Sequence, residues 1–186
     1  MRAQNGTTLI EVLITIVILA FGLLGIAVFQ SKATVGSLES YQRAQAIVLL
    51  EDMSARIQGN PKAADSYIAS NIGTGDARGD DCSAEATRAA RDLCEWSRAL
   101  KGASEADASN AKVGAMIGAL GCVERIQNQN NAAGVCQPAV YQVSVSWQGL
   151  HETQAPALAC GKDKYGKENN RRTIGLQVVN PLLDCI

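Results

Sequence analysis

The chain has 186 residues, a formal net charge of -1 from 17 basic and 18 acidic residues, and 4% aromatics. That length fits one ordinary domain with an appendage, and the balanced charge removes any global pull toward nucleic acid. Six cysteines, at positions 82, 94, 122, 136, 160 and 185, leave the first 81 residues free of thiols. An even number confined to one region suggests a disulfide-bonded C-terminal part in an oxidising compartment.

The first element begins with MRAQNG, where Arg2 and the amino terminus are the positive groups. From Val12 to Phe29 the chain carries no charge. With Leu9 and Ile10 this run is long enough to cross a hydrocarbon core of about 30 Å as a helix. It is too long for the apolar region of a secretory signal peptide, and no small-residue cleavage site followed by a loop comes after Phe29. Instead the helical pattern continues: Ala46, Leu50, Met53 and Ile57 fall on one face, and Gly59-Asn60-Pro61 stops it. A helix from Thr7 to Gln58 is predicted, roughly 78 Å long at 1.5 Å per residue. Its first half is apolar all round and needs lipid or similar helices about it. Residues 30–58 form its amphipathic second half, and residues 59–186 a globular head.

Glu11 lies inside this apolar stretch. A carboxylate in lipid costs on the order of 2.5–3.5 kcal/mol and usually has a partner, although a shallow one can reach the headgroups. Cutting the chain after Gly6 would give Thr7 a new α-amine at a helix N-terminus. Glu11 would offset the positive end of that helix, or meet the amine of a neighbouring subunit and so set axial register.

Beyond Pro61, Lys62 to Asp81 reads as a loop. Ser83 is placed to cap a helix over AEATRAARDLCEWSRAL. Lys101 to Gly114 reads as a second loop, and Cys122 to Gln127 as a strand followed by the turn region QNQNNAAG. Val140 to Gln148 is the clearest strand, with Tyr141, Val143, Val145 and Trp147 alternating with polar residues. Ala155 to Asn170 reads as a basic loop. Thr173 to Val179 is the last strand, with Ile174, Leu176 and Val178 expected to face inward. The expected fold is α+β: a long N-terminal helix packed on a small antiparallel sheet, bonded by disulfides. Six cysteines allow 15 connectivities. Joining nearest neighbours gives Cys82–Cys94, Cys122–Cys136 and Cys160–Cys185.

No Cys-x-x-Cys spacing offers a metal site, and no cofactor motif is visible. The lone histidine, His151, has no nucleophile motif beside it, so no residue set recommends an enzyme. Arg78-Gly79-Asp80 spells a receptor-binding tripeptide, read as coincidence in a loop rich in glycine and aspartate. Lys162, Lys164, Lys167, Arg171 and Arg172 make a basic loop with Tyr165 as its aromatic. Contact with DNA there is the minor reading, because stacking surfaces are scarce.

The segment Gly6-Thr7-Thr8-Leu9-Ile10-Glu11 and the apolar run behind it resemble the prepilin signal of type IV pilins. The family most often has Phe or Met where this chain has Thr7. The resemblance implies a leader of residues 1–6, cleavage between Gly6 and Thr7 by prepilin peptidase, N-methylation of Thr7, and an assembly role for Glu11. AFGLLGIAVFQ, the R-x-x-A and RI-x-x-NP patterns of the next segment, and VSVSW further on are similar to the PilV (type IV pilus modification protein) family of minor pilins. That likeness covers residues 1–61 and 135–150. It implies a protein held in the inner membrane by one span, N-terminus cytoplasmic and head periplasmic, and later displayed in surface pili. Other minor pilins, the major pilin and a tip adhesin would be its partners, in pilus priming, twitching motility and adhesion. A pseudopilin of type II secretion and a DNA-uptake or adhesive pilin are the alternatives.

Overall fold

The structure is a computed structural model, and it describes residues 6, 8–79, 81–103, 116–132 and 134–180. The chain forms two compact units, divided between Ser40 and Tyr41. Helix α1 (Leu9–Gln58) is 50 residues long and belongs to both.

In the first unit α1 presents apolar side chains on every side. Phe21 and Phe29 are 72% and 71% exposed in the isolated chain. Mean hydropathy reaches 3.0 over 18 residues, and by length and composition the helix can cross a membrane.

The second unit contains the rest of α1, a short 3-10 segment (Pro61–Tyr67), β1 (Ala69–Gly73), α2 (Arg88–Leu100), β2 (Leu120–Gln127), β3 (Ala139–Gln148), a 3-10 turn (Glu168–Asn170) and β4 (Arg171–Asn180). The four strands form one antiparallel sheet in the order β1-β2-β3-β4. This is the expected α+β pilin-like architecture.

One face of the sheet packs on the helices. Ala46, Leu50, Met53 and Ile57 of α1 are all buried, joined by Tyr67, Trp96, Val123, Val143, Val145, Trp147 and Val178. The period of 3.6 turns the α1 residues to the sheet, and the period of 2 turns alternate β3 residues to the helix. Trp96 also donates its indole N–H to the Leu49 carbonyl at 3.0 Å, which ties α2 to α1. Gly121 on β2 makes room for that ring: a β-carbon there would lie 2.2 Å from it.

Several sequence expectations need correction. The Lys62–Asp81 stretch is not all loop: it holds the 3-10 segment and β1, whose five residues give too short a pattern to read. Helix α2 starts at Arg88, not after Ser83; the cap is Thr87, whose hydroxyl accepts from the Ala90 N–H at 3.1 Å. On β4, Val178 is buried but Leu176 is 41% exposed. The strand lies at the sheet's edge, where the helix covers it incompletely. Ser144 and Ser146, two of the polar residues that alternate along β3, are also buried, at 3% and 0% exposed. The reason is that the Ala155–Asn170 loop folds over the second face of the sheet.

The disulfides explain how that loop is held. Cys82 pairs with Cys94, as nearest-neighbour pairing expects. Cys122 pairs with Cys160 across 38 residues, and this overturns both Cys122–Cys136 and Cys160–Cys185. Cys160 is brought over β2 by the covering loop, with its Cα 5.7 Å from that of Cys122. Cys136 is also disulfide-bonded, and Cys185 lies outside the described residues.

Candidate functional site

The N-terminal segment places Glu11 in the first turn of α1. Its N–H donates to the Thr8 carbonyl at 3.1 Å and lies 3.4 Å from the Thr8 hydroxyl. Thr8 is therefore the N-cap, and Thr8-Leu9-Ile10-Glu11 has the Thr-x-x-Glu spacing of a capping box. The sequence carries this signal, but it is hidden inside the prepilin-like pattern. Glu11 is exposed, and the next 18 residues carry no charge. In the isolated chain water solvates the carboxylate; in lipid or in a bundle of such helices it would require a cationic partner. Gly6 is exposed, with open space where a β-carbon would stand. Thr7, the proposed methylation site, lies outside the described residues.

The basic loop does not make one cationic face. Arg171 is 3% exposed. Its guanidinium donates to the carbonyls of Pro156 (3.1 Å), Cys160 (3.0 Å) and Leu158, and pairs with Glu168 at 2.6 Å. Arg172 donates to the carbonyls of His151 (2.6 Å) and Asn169 (3.2 Å). Lys167 meets Glu152 at 2.8 Å. Tyr165 is buried, with its hydroxyl donating to the Gly118 carbonyl at 2.8 Å and lying 3.1 Å from the Ser146 hydroxyl. Burial pushes its phenol up to about 12. Arg171 and Tyr165 are thus unavailable to DNA, which corrects the reading of the five basic residues as one contact surface. Lys162 and Lys164 are exposed. Sequence alone did not separate the two roles, because a structural arginine and a surface lysine both count as positive charge.

Two partly buried polar networks hold the head. Asp76 accepts from the Gly73 N–H (3.0 Å), the Ser97 hydroxyl (2.8 Å) and Lys101 (2.5 Å). Burial raises its carboxyl, but Lys101, Gly73 and Ser97 together outweigh that and hold it below the ordinary range. Arg56 sits among Asp52 (3.0 Å), Asp92 (2.9 Å) and Glu95 (2.6 Å), and Tyr67 donates to Asp92 at 2.5 Å. Burial and the Asp92 contact both raise the Tyr67 phenol. These networks join α1, α2 and β1; they are structural. Asp80 of the Arg-Gly-Asp tripeptide lies outside the described residues. Among the described residues no group of His, Cys, Asp and Glu is arranged to hold a metal.

A long helix, packed by its second half on a disulfide-bonded antiparallel sheet, gives a pilin-like α+β fold, and the apolar first half is by length and composition able to cross a membrane. Residues 1–27 match the prokaryotic N-terminal methylation motif, which supports a type IV pilin-like protein or pseudopilin processed by prepilin peptidase and assembled with other pilins. No curated protein and no solved structure matches the chain.

Proposed function

We propose that this protein is a minor pilin that helps start type IV pilus assembly, and that its role is structural rather than catalytic. The observation that carries the reading is the pairing of a methylation motif over residues 1–27 with an apolar helix whose span is entirely exposed in the isolated chain. Such a surface is stable only in lipid or among similar helices. Prepilin peptidase cuts after Gly6, and Thr7 becomes the methylated terminus. Glu11 then leaves the bilayer by pairing with the terminus of a neighbour in the filament. The head faces the periplasm before assembly and the surrounding medium after it. It contacts other minor pilins, the major pilin and a tip adhesin, partners supported by the PilV-like segments.

The intact mass of the native protein tests the processing. A mass beginning at Thr7 plus one methyl group is expected. One beginning at Met1 would end the pilin reading. Recovery in sheared surface pili separates a minor pilin from a type II secretion pseudopilin, which shares the N-terminal motif and would stay with the cell envelope.

A further inference from the structure

The sheet has an unprotected edge. β4 pairs with β3 in one unbroken register, from Arg171 opposite Gln148 to Asn180 opposite Ala139, and no bulge bends it away. It is the last strand of the sheet, so every second residue turns its N–H and C=O outward. Among the described residues no main-chain hydrogen bond reaches residues 172–179 from that side. Residues 173–179 hold no charge and no proline. Proteins usually blunt a free edge with lysine, proline, a bulge or a short strand, and this stretch uses none of them.

Beside the edge lies a groove of about 210 Å³, between Ile47 and Leu50 of α1 and Ile174 and Leu176 of β4, with Arg43 and Glu51 in its lining. Ile174 and Leu176 stand opposite Val145 and Val143, on the sheet face turned to α1. Ile47 and Leu176 are 44% and 41% exposed, so the groove is open to water. The Asn180 side chain donates to the Pro61 carbonyl at 2.9 Å, just beyond the end of α1. The helix and β4 therefore run in the same direction here, with Arg43 toward the start of β4 and Glu51 toward its end. Eight residues of helix separate these two charges by about 12 Å along the axis. Both side chains are exposed, and neither has an ion-pair or hydrogen-bond partner among the described residues. A strand covers that distance in about four residues, and its positions i, i+2 and i+4 share one face.

We propose that the β4 edge takes an extended segment of a partner protein, laid antiparallel to β4, with a basic residue facing Glu51, an apolar residue two positions on in the groove, and an acidic residue two beyond that facing Arg43. The order follows from the direction, because an antiparallel strand runs from the Glu51 end to the Arg43 end. In strand addition of this kind main-chain bonds supply affinity and alternate side chains supply choice. The test uses the full oxidised chain in detergent, the capped peptide Thr-Lys-Thr-Leu-Thr-Glu-Thr at millimolar concentration, and hydrogen exchange read by mass spectrometry. Exchange over residues 173–179 is expected to slow, saturably with peptide. The neutral peptide Thr-Gln-Thr-Leu-Thr-Gln-Thr should bind about tenfold more weakly, the equivalent of two exposed ion pairs. Arg43→Gln and, independently, Glu51→Gln should each weaken the charged peptide by about threefold, leaving the neutral one and thermal unfolding unchanged. N-methylation of the peptide amides that face β4 should abolish protection. No protection over residues 173–179 with the charged peptide overturns the proposal, as does protection that survives N-methylation. Equal affinity for the charged and neutral peptides overturns the charge pattern. Protection that rises with protein concentration before any peptide is added makes a second copy the occupant and overturns the partner segment.

Discussion

The guanidinium of Arg171 donates to the carbonyl of Cys160 at 3.0 Å, so the first residue of β4 holds the cysteine that staples the covering loop to β2. Ion pair, carbonyl contacts and disulfide act on one loop. Arg171→Ala removes the donor for three carbonyls, that of Cys160 buried, and leaves Glu168 without its partner. A loss of about 3 kcal/mol is expected in denaturant unfolding. Lys162→Gln and Lys164→Gln, on the exposed side of the same loop, should change stability by less than about 0.5 kcal/mol. Equal effects from all three would contradict the division drawn between them.

Gly121→Ala is a steric test of the core. Its methyl group would fall 2.2 Å from the Trp96 ring, which is fully buried and tethered to Leu49. Overpacking of this kind costs about 1–3 kcal/mol. The expected readouts are a lower unfolding midpoint and an altered near-ultraviolet tryptophan signal.

Asp76 predicts an acid limb to stability. Its folded carboxyl is held below the ordinary value of 3.8. A depressed carboxylate stabilises the fold at pH above its unfolded value, and the contribution disappears as pH falls through the folded one. Unfolding free energy should therefore drop below about pH 4. Asp76→Asn should be less stable at neutral pH and show a flatter profile between pH 5 and pH 2, by chemical denaturation across that range.

Glu11→Ala should leave membrane insertion intact but impair entry into a filament or priming complex. Pulldown of co-expressed pilins and counting of sheared pili would measure it. Unchanged incorporation removes the charge-pairing argument. Thr8→Val separates the local cap from assembly: loss of an N-cap costs about 1 kcal/mol of helix stability and should fray the first turn without removing the carboxylate.

Periodic elements were readable before the structure. Ala46, Leu50, Met53 and Ile57 recur at helical spacing and are buried together; Val143 and Val145 alternate and face the same core. What could not be read depended on contacts distant in sequence. Ser144 and Ser146 look solvent-facing until a loop that begins nine residues after Ser146 folds over them. The Thr87 cap competes with Ser83, since both are hydroxyl residues before an alanine-rich run, and only the backbone path decides. The N-terminal motif was legible because it is a short linear pattern, whereas the Cys122–Cys160 bond joins residues 38 apart and leaves no local trace in the sequence.

The Cys122–Cys160 connectivity has a consequence for biogenesis. Cys136 lies between the two partners, so a nascent chain presents it to Cys122 first. An oxidant acting strictly in order of emergence would join Cys122 to Cys136 and strand the covering loop. The native bond therefore requires either that Cys122 stay reduced until residue 160 has emerged or that an early bond be reshuffled by thiolate attack. Maturation of this head therefore depends on the timing of oxidation or on isomerisation, and not on disulfide formation alone.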